Sequence, residues 1–362
     1  MRPLYHLMLA TGLAGCTLTL TIQQLLSIEW RLFRLFLIIL LVVELSLLLY
    51  ELVTNSKRKL LANVLTSFYG FLVILLLLES SFMFVMRSHG GFMSLSSKLW
   101  LNEYWNPNNS LGYRDDEPTR ESYCILFVGD SFTEGHGIDH VSQRFSNVVK
   151  SRLKNTDPTT KVINIGRSGS NTQDEFARMI TVVNKLKLKP KTIVLQYCVN
   201  DIEDQAFEYG MKLERPIPYS NIPSFTVPIF KGSYLLDYIY WGIRGPSHYM
   251  GFLEQAYGNE TIKSAHFKEL DAFVDYCELN SIQLIPVIIP FMEDLTLSEN
   301  LFVNPVSNHF KSRGIEAINV AELVVDIPFR RRIVNNSDRH ASVEVNALMA
   351  HAIVARLQKA DQ

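Results

Sequence analysis

Hydrophobic and polar positions are distributed unevenly along the 362 residues of this chain. The first 87 residues are dominated by three apolar runs, at about 4–26, 32–53 and 60–86. Each run is close to the roughly 20 mostly apolar residues that a helix needs to cross a membrane. The pattern therefore predicts a membrane region over residues 1–87 with three transmembrane helices.

Three acidic residues, Glu44, Glu51 and Glu79, interrupt these runs, and two of them should lie within the bilayer. Glu44 should lie near the middle of the bilayer and Glu79 near its outer face. Carboxylates inside a membrane are costly and often functional. Neither residue has an obvious cationic partner in the sequence. That absence favours protonated carboxyls, or hydrogen bonds to neighbouring helices or a partner protein, over a functional role.

Lysine and arginine positions predict the orientation of the spans. The strongest basic cluster is Lys57-Arg58-Lys59, which should be cytoplasmic. The short loop with Arg31 and Arg34 then lies outside, against this bias. Three spans would place everything after residue 87 in the periplasm or at the cell exterior. The expected location is therefore the cell (inner) membrane, with a multi-pass anchor.

After a polar, aromatic-containing connector at 88–120, short apolar runs alternate with helical patterns through the domain 121–362. This alternation predicts a parallel sheet with helices on both faces. The strand candidates are 123–128, 161–164, 192–198, 282–289 and 316–320, and the helix candidates are 142–154, 171–187, 260–279 and 342–358.

Residues 205–258 break this alternation with several prolines and many aromatic side chains, from Phe207 to Tyr257. One interpretation is a lid or an acceptor-binding wall, since sugars stack well on aromatic rings. The other is an insertion that packs against the connector or the membrane surface. The sequence favours neither.

Four polar blocks follow strands or precede a helix in this domain. They are Gly129-Asp130-Ser131 with Thr133 and Gly135, Asn164-Ile-Gly-Arg-Ser-Gly169, Cys198-Val-Asn200-Asp201, and Asp338-Arg-His340. In this order they resemble the blocks of the SGNH (GDSL-type) hydrolases over roughly residues 100–360. The upstream segment 109–115 is similar to the lead-in of membrane-linked members.

The resemblance implies a flavodoxin-like three-layer α/β fold and a serine nucleophile. It assigns Ser131 as the nucleophile, His340 as the base and Asp338 as the residue that orients the base. It implies an oxyanion hole formed by the backbone N–H groups of Ser131 and Gly169 and the side-chain amide of Asn200. Supporting positions of the same blocks are Gly129, Asp130, Asn164 and Asp201.

Two positions depart from the family pattern. Cys198 stands where glycine is usual, and the last block reads Asp-x-His where many members have Asp-x-x-His. Both members of this last pair should lie on one loop before a helix. His136 and His140 are interpreted as loop residues, because a base on the nucleophile's own helical turn would rarely reach its oxygen.

Other classes of site are not indicated. Apart from His136 and His140 the nine histidines are scattered, and no paired Cys-x-x-Cys or cofactor-binding motif occurs, so neither a metal nor a cofactor is predicted. A net charge of −1 offers no basic surface for nucleic acid. Cys16 lies in the first predicted span, and the three later cysteines are expected to be buried thiols without disulfides.

Together with the apolar N-terminal runs, the resemblance implies a membrane-anchored serine esterase that acts on O-acyl groups, in particular acetyl groups, of an envelope or secreted glycan. Three alternatives remain open. They are an O-acyltransferase of the same glycan, a lipase or esterase of the membrane surface, and a non-catalytic subunit that works with polysaccharide-assembly proteins.

Overall fold

The computed structural model describes residues 2–18, 21–54, 58–89, 93–154, 158–159, 161–213, 217–243 and 248–360. The chain forms two compact units. The N-terminal unit comprises Met1–Glu103 with Pro216–Gly245, and the sheet unit comprises Tyr104–Arg215 with Pro246–Gln362. This division differs from the expected boundaries at 87 and 120, because part of the connector and the middle of the insertion belong to the N-terminal unit.

The described α-helices in chain order are α1 Arg2–Leu18, α2 Ile22–Leu26, α3 Ile28–Thr54, α4 Lys59–Phe82, α5 Leu95–Tyr104, α6 Ser131–Glu134, α7 Phe145–Leu153, α8 Thr172–Leu186, α9 Glu203–Glu208, α10 Val227–Gly232, α11 Tyr234–Gly242, α12 Tyr249–Gly258, α13 Glu260–Leu279, α14 Leu295–Ser298, α15 Asn304–Ser312, α16 Val320–Val324, α17 Phe329–Arg332 and α18 Val343–Ala360. The strands are β1 Tyr123–Val128, β2 Lys161–Asn164, β3 Lys189–Tyr197, β4 Gln283–Ile288, β5 Ile318–Asn319, β6 Ile333–Asn335 and β7 Asp338–Ala341.

Two helices of the N-terminal unit, α3 and α4, are long and apolar enough to cross a membrane. They correspond to the second and third predicted spans. The first predicted span, 4–26, is not one continuous helix, since α1 ends at Leu18 and α2 begins at Ile22. Thr21 explains the new start, because its Oγ1 accepts the Gln24 N–H and Gln24 Oε1 accepts the Thr21 N–H.

Glu44 and Glu79 bond to neighbouring helices, one of the expected outcomes, but each also has a basic partner that the sequence did not reveal. The Glu79 carboxylate lies 2.8 Å from Arg34 Nη2 and also accepts hydrogen bonds at the start of α11, from Ser233 Oγ and the Tyr234 and Leu235 N–H groups. Glu44 Oε2 lies 2.7 Å from His6 Nδ1. The partners were missed because each lies on a different helix, far away in sequence.

The middle of the aromatic insertion packs within the N-terminal unit. Tyr219 and Tyr240 stack with ring centroids 4.5 Å apart, and the Trp241 ring lies edge-on to Tyr219 and to His89. Asp237 accepts hydrogen bonds from Tyr219 Oη and from the backbone of α5. These contacts correspond to the packing interpretation of the insertion.

The sheet unit is built on five parallel strands in the order β2-β1-β3-β4-β5. The predictions of 123–128 and 161–164 are confirmed to the residue. Side chains alternate between two buried clusters, with Leu126 and Val128 on one face and Ile125 and Phe127 on the other. Helices α8, α13 and α15 cover the first face and α7 and α18 the second, which gives the predicted three layers.

From β1 the chain first adds β2 on one side and then β3 on the other. The direction of strand addition therefore reverses between β1 and β3. In open α/β sheets, ligands bind outside the carboxyl ends of the strands at such a point. The Ser131 block follows β1 and the Asn200 block follows β3. The fold therefore brings two of the four blocks together at its natural binding edge.

Candidate active site

The serine block forms a tight turn between strand and helix. Asp130 is the N-cap of α6, and its side chain accepts the Phe132 N–H at 3.0 Å. Ser131 is the first residue of the helix. Its own backbone N–H donates no hydrogen bond within the described part of the chain, as expected at a helix start. Serine and a free donor are thereby presented together.

The serine, histidine and aspartate predicted from the sequence form a connected chain. His340 Nε2 lies 2.8 Å from Ser131 Oγ, and His340 Nδ1 lies 2.5 Å from Asp338 Oδ1. Because an ionised carboxylate only accepts, Nδ1 carries the proton and Nε2 accepts from the serine hydroxyl. This is the tautomer that a general base needs in order to take the serine proton.

The Asp-x-His spacing follows from a strand, which corrects the expectation of a loop. Asp338–Ala341 form β7, which pairs antiparallel with β6 just before α18. Side chains two residues apart on a strand point to the same face. Asp338 and His340 therefore project together, and the His340 N–H also donates to Asp338 Oδ1 at 3.1 Å. A helical turn would need a longer spacing for the same result.

The electrostatics of this pair favour a competent base. Burial lowers the pKa of His340, but the charge of Asp338, its hydrogen bond and the charge of Asp130 together raise it above the ordinary 6.5. Asp338 itself is fully buried. A carboxylate in this position can stabilise an imidazolium at His340.

The two backbone donors of the predicted oxyanion hole are available. The backbone N–H groups of Ser131 and Gly169 donate no hydrogen bond to any described residue. No heavy atom lies within 4 Å of the position that a Gly169 Cβ would take, so this backbone is open. Asn200 Nδ2 instead lies 3.3 Å from Asp130 Oδ2. This contact uses one of the two amide hydrogens and leaves the other for an oxyanion.

Glu134 ties the second block to the nucleophile helix, a role that the sequence analysis missed. Its Oε2 accepts the Ser168 N–H at 2.6 Å and the Ser168 hydroxyl at 2.5 Å, one residue before Gly169. Close packing makes this possible, since a Cβ on Gly166 would lie 2.4 Å from Glu134 N. The Thr-Glu-Gly sequence after the serine was its only signal.

The lead-in segment, residues 109–115, contacts the turn that follows Ser131. Buried Arg114 donates to the carbonyls of Gly135 and Ile138 at 2.5 and 2.7 Å. Asp115 accepts from Arg144 at 3.0 Å and from the Asn164 N–H at 2.9 Å. Two buried arginines therefore fix the backbone that follows the nucleophile.

The remaining supporting residues join the blocks to one another. Asn164 donates to Thr133 O and accepts the Gly166 N–H, and Asp201 accepts the Cys198 N–H. The Cys198 thiol lies within hydrogen-bond reach of Asp130 Oδ2 and Asn200 Oδ1 and can donate its one proton to either, so the side chain that replaces glycine is accommodated. Burial, with the charges of Asp130 and Asp201, raises the pKa of this thiol well above its ordinary range. Gly129 leaves room for Thr133 and Gln196.

His136 is the second residue that the sequence analysis missed. It is 3 % exposed, its ring stacks on His340, and with Asp338 and His340 it offers ligand atoms within 4.8 Å of one another. Both ring nitrogens of His340 already contact Ser131 and Asp338, so a metal ion would displace a contact of the triad. The arrangement fits proton transfer better than metal binding.

Comparison with known proteins agrees with this geometry. Residues 127–221 match the model of the GDSL-like lipase/acylhydrolase family. The matched region contains Ser131, Gly169 and Asn200 and ends before the Asp338 block. No curated protein matches the sequence.

Similar solved structures include three of related type. TesA shares 13 % identity with a TM-score of 0.42, over 65 % of this chain and 98 % of its own. A lipase/acylhydrolase from Enterococcus faecalis shares 18 % with a TM-score of 0.40, over 65 % and 96 %. A two-domain esterase active on acetylated mannans shares 16 % with a TM-score of 0.37, over 66 % and 50 %.

The family match supplies the nucleophile block, and the structure adds the base and the orienting carboxylate at bonding distance. The sheet unit of this chain therefore contains, at residues 127–221, a region that matches the GDSL-like lipase/acylhydrolase family.

Proposed function

We propose that the chain is a membrane-anchored serine esterase that removes O-acyl groups, acetyl in particular, from an envelope or secreted glycan. The observation that carries the esterase chemistry is the continuous chain from Ser131 Oγ through His340 to Asp338. The hydroxyl attacks the ester carbonyl while His340 takes its proton. The Ser131 and Gly169 N–H groups, with Asn200, receive the negative oxygen.

The second half-reaction uses the same groups. His340 returns the proton to the departing alcohol, which leaves an acyl group on Ser131. A water molecule, deprotonated by His340, then attacks this acyl-enzyme and releases the carboxylic acid. An O-acyltransferase would replace the water by a sugar hydroxyl.

Hydrolysis is supported over transfer by the contacts of the aromatic insertion. Tyr240 and Trp241, the side chains best suited to hold a sugar acceptor, are engaged with Tyr219, Asn221 and His89 of the N-terminal unit. A residue that braces its own unit is less suited to hold an acceptor. The intact triad also argues against a silent assembly subunit.

Anchoring through α3 and α4 is supported by their length and composition. The orientation depends on the turn between them, where Lys57 lies outside the described residues and Arg58 and Lys59 are exposed at the start of α4. With this basic turn in the cytoplasm, the carboxyl end of α4 is exported whether or not α1 spans. Exported glycans would then be within reach of the sheet unit.

The direct test uses the full chain in detergent and p-nitrophenyl acetate. Ser131→Ala and His340→Ala should each abolish hydrolysis without loss of fold, because nucleophile and base act as a unit. Unchanged turnover in either variant would contradict the triad. Trp241→Ala tests whether the insertion binds a sugar acceptor. If Trp241 only stabilises its own unit, this variant should lower the activity on p-nitrophenyl acetate and on the glycan equally.

The glycan part of the proposal is tested in cells. Mass spectrometry of the surface glycan from a Ser131→Ala strain should show more acetyl groups than from the wild type. Fewer acetyl groups would identify a transferase. An unchanged glycan, with a changed lipid acyl profile, would support the membrane-surface lipase.

A further inference from the structure

A turn that follows the nucleophile helix places His136 against the catalytic histidine. The His136 N–H donates to Ser131 O at 2.9 Å, which closes the turn after α6. Gly137 follows with φ +79°, and a Cβ there would lie 2.7 Å from Asp338 Oδ2 and 2.6 Å from Val334. Only glycine lets this turn approach the carboxylate so closely.

Within this turn, the His136 ring makes two contacts with the triad. It stacks on His340 with centroids 4.3 Å apart and planes 8° from parallel. Its Nε2 lies 3.5 Å from Asp338 Oδ2, a small approach short of a good hydrogen bond, while the other carboxylate oxygen receives both hydrogen bonds from His340. One oxygen of Asp338 therefore serves His340, and the other faces His136.

Charged and titratable groups surround the stacked His136 and His340 rings. They include Asp338 on β7, Asp130 at the start of α6, and Arg114, whose guanidinium lies over Trp105 beside His136. His340 becomes a cation when it takes the serine proton. Two imidazolium rings at this distance would repel each other in a buried site.

We propose that His136 is a positioning residue of the triad, which in its neutral form donates Nε2–H to Asp338 Oδ2 and supports the His340 ring by stacking. The N–H fixes the carboxylate so that Oδ1 stays on His340. It also shares the carboxylate charge, so Asp338 stabilises the His340 imidazolium less strongly than it would alone. This inference rests on the proposed esterase function.

Three variants of the full chain separate these contributions, with p-nitrophenyl acetate as substrate. His136→Phe keeps a flat ring but loses the N–H, and His136→Gln keeps an N–H donor but loses the ring. His140→Gln is the matched control, because His140 is exposed and touches the ring of Tyr104 instead of the triad.

We expect His136→Phe to lower kcat by about 10-fold to 100-fold with little change in KM, the size of a lost hydrogen bond to a charged group. The acid side of its pH–rate profile should move to higher pH, because Asp338 then acts on His340 alone. His136→Gln should recover most of the lost kcat, and His140→Gln should match the wild type.

A His136→Phe variant with wild-type kcat and an unmoved acid side would overturn the proposal. If His136→Phe does not fold, the folded His136→Gln variant decides. Because glutamine keeps an N–H donor, a loss of kcat as large as that expected for His136→Phe would exclude the role of the N–H. Failure of the esterase proposal is seen separately, as turnover that survives Ser131→Ala in the same assay.

Discussion

At the scale of single residues, the site depends on two side chains that share one face of β7. The Asp-x-His spacing looked short in the sequence, and the strand conformation explains why it works. Ser131, His340 and Asp338 could be named from their sequence blocks. His136 could not, because its partners lie about 200 residues away and only the folded chain brings them together.

Removing the charge of Asp338 tests the orienting role. Asp338→Asn should lower kcat by about 10⁴-fold, since the amide favours the wrong tautomer of His340. Wild-type kcat/KM requires neutral His340, so it should rise with pH through a pKa above 6.5. Without the carboxylate that pKa falls, and the acid side of the residual activity should move to lower pH. A move to higher pH would contradict this assignment.

Asn200 tests the oxyanion hole. Asn200→Ala should reduce kcat by about 100-fold to 1,000-fold, the usual loss for one donor, with little change in KM. The measurement is steady-state kinetics with an acetyl ester. Wild-type kcat would show that the amide is used only for its contact with Asp130.

At the scale of elements, the predicted sheet is confirmed more closely than the segments around it. Strands β1 and β2 match the prediction, while β3 begins at Lys189, three residues early, because Lys189 and Pro190 pair with β1 at an irregular register. Apolar content alone could not identify these polar strand residues. The 205–258 insertion had no periodic pattern, so its helices α9–α12 were not predicted.

The tie between α6 and the loop before Gly169 can be tested at Glu134. Glu134→Ala should lower kcat by about 10-fold or more, because the Ser168 N–H loses its acceptor and the loop that carries the Gly169 donor loosens. Ser168→Ala keeps that backbone donor and is the matched control, with a smaller loss. Equal effects of the two variants on kcat would show that the carboxylate does not position the loop.

At the scale of the whole molecule, stability depends on acidic groups buried beneath the site. Neither carboxylate oxygen of Glu175 has a hydrogen-bond partner among the described residues. Burial, followed by the charges of Asp201 and Asp130, holds the pKa of Glu175 well above its ordinary 4.5. A carboxyl that prefers its proton in the folded state weakens folding once the pH exceeds 4.5.

Glu175→Gln should therefore raise the temperature of half-inactivation at pH 8 and change it little at pH 5. The neutral amide imitates the protonated carboxyl and removes the penalty that grows with pH. Residual esterase activity after heating measures the effect. A variant that is less stable than the wild type at pH 8 would show that the ionised carboxylate contributes to folding.

The membrane orientation is a prediction of the same scale. Alkaline phosphatase fused after Gln362 should be active, and a cysteine introduced near Lys57 should resist an impermeant thiol reagent in intact cells. With the Lys57 turn in the cytoplasm, export of the chain after α4 requires only that α4 spans the membrane. Arg34 is paired with Glu79, so it adds little free positive charge to the outer side. A silent phosphatase fusion, with an active cytoplasmic reporter at the same position, would reverse the orientation.

The central claim, that Ser131 is a nucleophile activated by His340, is tested most directly by covalent labelling. The full chain in detergent is treated with diethyl p-nitrophenyl phosphate, and the modified peptide is located by mass spectrometry. We predict one diethylphosphoryl group on Ser131, formed rapidly in the wild type and lost in His340→Ala. Labelling of another residue, or equal labelling of Ser131 without His340, would contradict the account.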